Sequence, residues 1–469
     1  MTKKTYDIIV IGAGSGGLTV AIGAAGIGAK VLLIEKSKVG GDCTHHGCVP
    51  SKALINLGKE AKILKKYNQK IPKNLLIDEV LKKVNMVVNG IYQHETPDAL
   101  KKFGIETIIG SAKFIGKNTI EVNKKKFTSK RIVIATGSRA RIPQIKGIDD
   151  VNYLTNKNIF DIKKINSLII LGGGPIGCEL AQAFNNLGVK VQIIQTSSTI
   201  LNREDVDASK LVQDTFNQEN ITLRLNKEPY LLKKVEKEIV VYIKDKSSGK
   251  HSSIRSDNLL VATGRVPNIE DLDLGVAGIE FNNRGIKINS KGRTTNKYVY
   301  GVGDVVGGFQ FTHLANAQAK AVLSSIIFRF PAEFETQVIP RVTFTTPEIA
   351  SIGISEEDAK KENLFILKKP YSQVDRALTD LNTKGFYKII VDKNGEIKGA
   401  TLLGNGAGEL IGEIALAMKN NIKINQLANT IHPYPTYGYG LRNCADQFRA
   451  MSYTPNKKKW VKKIFNLKG

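Results

Sequence analysis

The chain has 469 residues, 42% of them hydrophobic and 24% charged, and 69 Lys and Arg against 43 Asp and Glu give a formal net charge of +26. That length allows about three domains and a core that needs no staples. Four cysteines are too few for a secreted disulfide scaffold, and no apolar run approaches the roughly 20 residues of a membrane span. The start, residues 1–7, is basic but leads into a strand, with no signal-peptide apolar region. A soluble, cytoplasmic protein is therefore expected. The lysines are spread along the chain as a solvated surface would carry them, so no nucleic-acid partner is expected.

Residues 6–11, Tyr-Asp-Ile-Ile-Val-Ile, read as a buried strand ended by glycine. Gly12, Gly14 and Gly17 follow in G-x-G-x-x-G spacing and open a helix, and a second strand, 31–34, ends at Glu35. That context supports a dinucleotide fingerprint: glycines let the backbone approach a pyrophosphate, the helix N-terminus faces its charge, and the acid takes ribose hydroxyls. Residues 53–104 carry helical periodicity, and 105–134 read as short strands with turns at Gly110, Gly116 and Asn118.

The same unit recurs about 160 residues on. Residues 168–171 form its strand, Gly172, Gly174 and Gly177 its loop, 178–187 its helix and 189–194 its next strand. Here the position of the acid holds Gln195. A carboxylate there would repel a 2′-phosphate, so its absence favours NADPH over NADH, with Arg203 the nearest candidate to grip the phosphate. Residues 135–138 (Ala-Thr-Gly-Ser) and 262–267 (Ala-Thr-Gly-Arg-Val-Pro) are strand exits at matching places in the two units. From about Pro340 the texture changes to an α+β domain, with strands near 341–344 and 386–391 and a helix near 409–420. The fold class expected is α/β, with two Rossmann-like nucleotide-binding domains and a C-terminal α+β domain.

Cys43 and Cys48 stand five apart in Gly40-Gly41-Asp42-Cys43-Thr44-His45-His46-Gly47-Cys48-Val49-Pro50-Ser51-Lys52. A distorted helical turn would bring their sulfurs into bonding range. Zinc sites more often use C-x₂-C spacing with a second ligand pair, and Cys178 and Cys444 are isolated, so no resident metal is expected. Downstream of a dinucleotide fingerprint, the pair reads as a redox dithiol.

These motifs, with Tyr300-Gly301-Val302-Gly303-Asp304, appear in the order found in the pyridine nucleotide–disulfide oxidoreductases: glutathione reductase, dihydrolipoamide dehydrogenase and mercuric reductase. The resemblance spans about residues 5–450 and points most to the mercuric-reductase-like group. It implies an FAD domain (1–150 and 271–339) interrupted by an NAD(P) domain (151–270), then a dimerisation domain (340–455) and a basic tail (456–469). It implies FAD held by the first glycine loop, Glu35, Gly41, Ala135, Thr136, Gly137, Gly303 and Asp304. The nicotinamide nucleotide would be held by the second loop, Gln195, Gly264 and Arg265. Cys48 would be the flavin-facing thiolate and Cys43 the interchange thiol. Lys52 and Glu179 would pair where hydride arrives. The chain would work as a homodimer that passes electrons to a small-molecule or metal-ion acceptor.

One departure bears on the acceptor. Thiol–disulfide members end in a His-Pro-Thr-x-x-Glu segment whose histidine acts across the dimer as acid–base partner of the interchange thiol. Aligned on Pro435-Thr436, this chain places Tyr434 at the base and Tyr439 at the acid. A tyrosine of ordinary pKa near 10 is a poor base at neutral pH, and mercuric reductase also has tyrosine there. Its C-terminal cysteine pair is absent, since Cys444 has no neighbouring cysteine. The expectation is an acceptor that needs no histidine base. His432 is a substitute base only if it rotates in. His45 and His46 read as solvated or packing residues, with a transient soft-metal contact through Cys43, Cys48 and His46 as the functional alternative. Tyr434-Pro435 is expected to be cis.

Other readings are dihydrolipoamide- or glutathione-type disulfide reduction, an NAD(P)H oxidase or quinone reductase with a vestigial dithiol, and a membrane- or nucleic-acid-associated redox sensor. The tail carries six lysines and an apolar stripe at Trp460, Val461, Ile464 and Phe465. Its simpler reading is an end helix packed on the body or a frayed terminus; its alternative is weak peripheral contact with an anionic membrane.

Overall fold

The computed structural model describes residues 5–330, 332–451 and 453–467. Residues 1–4 and 468–469, at the outer ends of the first FAD segment and of the tail expected at 456–469, lie outside them. The contacts gather into two units, Met1–Thr196 with Arg224–Glu335, and Ser197–Leu223 with Thr336–Gly469.

In the first unit, β1 (Thr5–Ile11) lies between β2 (Val31–Glu35) and the strand Lys125–Ile134, parallel to both. Its run Ile8–Ile11 is buried on both faces, as a central parallel strand requires. The helix α1 (Ser15–Gly26) leaves the end of β1 through the first glycine loop. Glu106–Ile109 pairs beyond β2, and Val299–Gly301 pairs Lys125–Ile134. The chain thus returns to this sheet after the second nucleotide unit, which brings Val302, just before Gly303 and Asp304, against Gly16 of the first glycine loop.

The second unit of the repeat is Ser167–Leu171, the helix Pro175–Asn186 and Lys190–Ile194, with the two strands parallel. Asn258–Val261 pairs the other side of Ser167–Leu171. An antiparallel sheet of Lys227–Val235, Glu238–Asp245 and His251–Ser256 follows. The helical stretch after the first unit consists mainly of α2 (Gly41–His46), α3 (Cys48–Lys66) and the helix Ile77–Tyr92.

The second compact unit is built on an antiparallel sheet ordered Arg341–Thr343, Glu348–Gly353, Ile397–Gly404, Phe386–Val391, Phe365–Pro370. Ala407–Lys419 packs on it, close to the helix expected at 409–420. Lys388, 1% exposed in the middle of Phe386–Val391, is ringed by Asp205, Asp207 and Glu356. These ion pairs fasten the helix Val206–Gln218 to the sheet. The helix Pro455–Ile464 starts where Thr454 caps Lys457 N and Pro455 takes the first turn. It buries none of its residues. No helix among the described residues is long and apolar enough to cross a membrane.

Candidate active site

The first glycine loop is shaped by backbone contacts that no side chain would permit. Gly12 has φ +100°, and a Cβ on Gly17 would stand 1.9 Å from Gly12 O. A Cβ on Gly41 would stand 2.5 Å from Gly14 Cα, so the redox loop lies directly on the glycine loop. Glu35 Oε2 accepts from Ala13 N at 2.8 Å and Oε1 from Ser37 N at 2.9 Å, which fixes the carboxylate at the loop's mouth. This is a cradle that fits a dinucleotide.

The second loop repeats it. Gly172 has φ +107°, and a Cβ on Gly177 would stand 2.1 Å from Gly172 O. Gln195 Oε1 accepts from Gly173 N at 3.0 Å. It makes with a neutral amide the contact that Glu35 makes with a carboxylate. The cradle therefore fits a nucleotide without placing an acid at the ribose.

The two Ala-Thr-Gly exits are laced together. Thr136 Oγ1 donates to Asn268 O at 2.7 Å, and Asn268 Nδ2 donates to Thr136 O at 2.8 Å. Gly137 and Gly264 both have positive φ, and Ala135 N donates to Ile11 O. Arg265 donates to Ser138 Oγ at 2.7 Å and to Asp42 Oδ2 at 2.7 Å, and faces Asp304 Oδ2 at 3.9 Å. Asp304 follows Gly303 in a short 3₁₀ turn and accepts from Ser138 Oγ. Burial raises its pKa against the pull of Ser138 and Arg265. Arg265 thus joins Asp304 to the base of the redox loop.

The dithiol sits where two helices meet. α2 carries Cys43, Gly47 breaks the helix, and Cys48 opens α3. A Cβ on Gly47 would lie 3.0 Å from Asp42 O and 3.2 Å from Cys43 Cα, so the glycine lets the two turns approach. The distorted turn expected from the five-residue spacing is this break. Asp42 is held by Asn156 Nδ2 at 2.9 Å as well as by Arg265. Both cysteines are free thiols, Cys43 half-buried and Cys48 exposed. Thr312 Oγ1 lies 3.2 Å from Cys43 Sγ and 3.6 Å from Cys48 Sγ.

The two sulfurs share one proton. The Cys43 hydrogen bond draws Cys48 down to about 6, burial opposes this, and Thr312 and the Lys52 charge add to it. Cys43 moves strongly the other way, through the same bond and its burial. The reduced pair is therefore a Cys48 thiolate beside a Cys43 thiol. One turn along α3, Lys52 Nζ meets Glu179 Oε2 at 2.7 Å. Glu179 is buried on the helix of the second glycine loop, next to Cys178, which is wholly buried with its thiol pushed up by burial.

His46 is half-buried near Asp42. The charges acting on its ring are Asp42, His45, Lys157 and Asp161, and burial lowers its pKa. Among the described residues, the group of three or more metal-ligating side chains that converges is Asp205, Asp207 and Glu356. Cys43, Cys48 and His46 do not form such a group. His45 is a packing residue: its Nε2 lies 2.6 Å from Val39 O, and its ring meets Tyr92 edge-on.

In the second unit, Tyr434 is 65% exposed, and its hydroxyl donates to Asp375 Oδ2 at 2.9 Å, which raises its pKa. Tyr439 packs edge-on against it, with ring centroids 5.4 Å apart. The Tyr434-Pro435 bond is cis, as expected. His432 is held at both nitrogens, Nε2 by Glu413 at 2.8 Å and Nδ1 by Thr430 O at 3.0 Å. Rotation into a catalytic position would break both contacts. Sequence reasoning missed Thr312, Ser138, Asp42 and Asn156. Asp42 adjoins Cys43 and Ser138 ends the Ala-Thr-Gly-Ser exit, so both were open to notice, whereas Thr312 and Asn156 carry no local motif.

The family model described as pyridine nucleotide-disulphide oxidoreductase matches residues 6–319, and that family's dimerisation domain matches residues 339–443. Mercuric reductase of Bacillus cereus is 35% identical over 93% of this chain and 70% of its own length. Dihydrolipoyl dehydrogenase of Geobacillus stearothermophilus is 33% identical over 92% and 94%. Among solved structures, the HOCl-induced flavoprotein disulfide reductase RclA from Escherichia coli superposes with TM-score 0.85 at 27% identity, over 94% of this chain and 99% of that one. A Cu(II) complex of RclA superposes equally well. With two nucleotide cradles, a dithiol between them and a matching dimerisation domain, the chain belongs to the pyridine nucleotide–disulfide oxidoreductases, flavoenzymes that use FAD and NAD(P)H.

Proposed function

We propose that this homodimeric flavoenzyme passes electrons from NADPH through the Cys43–Cys48 disulfide to a thiophilic metal ion such as Hg(II) or Cu(II). Residues 1–150 and 271–339 form its FAD domain, 151–270 its NAD(P) domain and 340–455 its dimerisation domain. The observation that carries the reading is Thr312 Oγ1 at 3.2 Å from Cys43 Sγ and 3.6 Å from Cys48 Sγ, with the Lys52–Glu179 pair one turn along the helix. FAD, when bound, supplies the two-electron link between nicotinamide and sulfur. Lys52, held by Glu179, sets a positive charge one turn from Cys48. Two electrons and a proton entering the disulfide break the S–S bond and leave the Cys43 thiol and the Cys48 thiolate. Two electrons leaving reduce Hg(II) to Hg(0), or two Cu(II) to Cu(I), re-form the bond and release the proton to solvent.

A metal ion needs no protonated leaving group, which suits a site whose base position holds Tyr434, contributed by the partner subunit. A relative named mercuric reductase and a solved Cu(II) complex of RclA support the same reading. A reduced dithiol and a reduced-nucleotide donor also suit the cytoplasm. The test is NADPH-dependent reduction of Hg(II) and Cu(II) by the holoenzyme and by Cys43→Ser and Cys48→Ser. Loss of both activities in each variant supports the relay, and full retention in both overturns it in favour of an oxidase.

A second reading is disulfide reduction of the dihydrolipoyl type, supported by the 33% identical relatives and by the His432–Glu413 pair. It requires turnover of a small dithiol or disulfide that falls sharply in His432→Gln.

A further inference from the structure

The helix Pro455–Ile464 lies beyond the dimerisation match, which ends at residue 443, and none of its residues is buried. At about 3.6 residues per turn, Trp460, Val461, Ile464 and Phe465 share one arc, and Lys458, Lys459, Lys462 and Lys463 share the opposite one. Lys457 enters the apolar arc at its N-terminal end, where a lysine stem lies along apolar surface with its head in water. Trp460 is 65% exposed, Ile464 51% and Phe465 67%, and Met451 and Tyr453 just before the helix are also more than half exposed. No acid falls within residues 455–467.

We propose that this helix docks the enzyme on an anionic lipid bilayer, its aromatic arc in the headgroup boundary and its lysines against the lipid phosphates. Charge complementarity selects the occupant: an unrelieved run of lysines repels its own copy in a second chain, while an anionic surface attracts it. The apolar arc distinguishes a bilayer from a nucleic acid, which offers phosphates but nothing to cover Trp460 and Phe465. Ten helical residues span about 15 Å, half of a roughly 30 Å hydrocarbon core, so the helix lies in the plane of the surface.

Trp460 is the chain's single tryptophan, so it reports on this helix alone. The experiment titrates the full-length holoenzyme with vesicles of phosphatidylcholine containing phosphatidylglycerol, and with phosphatidylcholine alone, following Trp460 emission and co-sedimentation. The expected result is a shift to shorter wavelength with the anionic vesicles only, reversed by high salt. Lys458→Gln with Lys462→Gln should weaken binding roughly 25-fold, about fivefold per lysine removed. Ile464→Ser should abolish the shift while NADPH oxidation stays unchanged, which shows that the variant is folded. The proposal is overturned if Trp460 emission does not move with either vesicle, including the case where it is already at short wavelength in the free protein because a second copy covers the helix. It is also overturned if duplex DNA competes the protein off the anionic vesicles at matched charge.

Discussion

Lys52 and Glu179 pair at 2.7 Å between α3, which Cys48 opens, and the helix of the second glycine loop. The contact joins the redox loop to the nucleotide cradle through the most buried carboxylate near the dithiol. Lys52→Met removes the positive charge while keeping the stem. It should lower the rate of flavin reduction by NADPH roughly 100-fold, the scale of losing one preorganised charge, with the melting temperature little changed. Stopped-flow absorbance measures it, and an unaltered rate would detach Lys52 from the hydride step.

Cys48 stays ionised above about pH 6, because the Cys43 thiol, Thr312 and Lys52 all favour its thiolate. Its folded pKa is depressed, so thiolate reactivity is present through neutrality and lost as pH falls through about 6. Thr312→Val removes one hydrogen bond, about 1 kcal/mol or roughly a factor of five in the thiolate equilibrium. The pH profile of Cys48 alkylation in the reduced enzyme should therefore move upward, and Thr312→Ser should restore it. A profile unmoved in Thr312→Val would deny Thr312 this role.

The glycine loop and the dithiol were legible because each is local. Gly12, Gly14 and Gly17 shape a loop by φ and close approach, and Cys43 and Cys48 announce a pair by spacing. Thr312 was not legible: it lies 269 positions from Cys43, and only the return of the chain through Val299–Gly301 brings it to the sulfurs. Ser138 reaches Asp304 across 166 positions, and Asn156 reaches Asp42 across 114, for the same reason. Tyr434 could be assigned to the base position by alignment, but its tie to Asp375 depends on the start of a helix 59 positions away.

Gly41 lies on Gly14 with no room for a methyl group. Gly41→Ala should push the redox loop off the first cradle and lower the FAD content of the purified protein severalfold. Gly90→Ala, on an open helix surface with nothing near its Cβ position, is the control and should keep full flavin. Equal flavin content in the two proteins would contradict the packing argument.

Gln195 makes the loop contact of Glu35 without its charge. Gln195→Glu would set a carboxylate against the 2′-phosphate and should lower kcat/KM for NADPH roughly fivefold or more while sparing NADH, since like charges a few ångströms apart cost at least about 1 kcal/mol. Steady-state kinetics with both donors decides it; an unchanged ratio would place the selectivity elsewhere.

Lys388 is buried among Asp205, Asp207 and Glu356. Lys388→Met leaves the carboxylates unneutralised, and the dimerisation unit should lose about 3–5 kcal/mol. Denaturant unfolding at neutral pH measures the loss. Wild-type stability in this variant would mean that the acids relax into solvent at no cost.

The central claim is that electrons pass from the nicotinamide nucleotide to the acceptor through Cys43 and Cys48. Anaerobic titration of the holoenzyme with NADPH, and separately with NADH, followed in the visible spectrum, tests it most directly. The account predicts a long-wavelength band at two electrons per subunit, formed faster with NADPH and absent in Cys48→Ser, because Cys48 would be the thiolate that faces bound FAD. Bleaching of the flavin at two electrons without that band would contradict it.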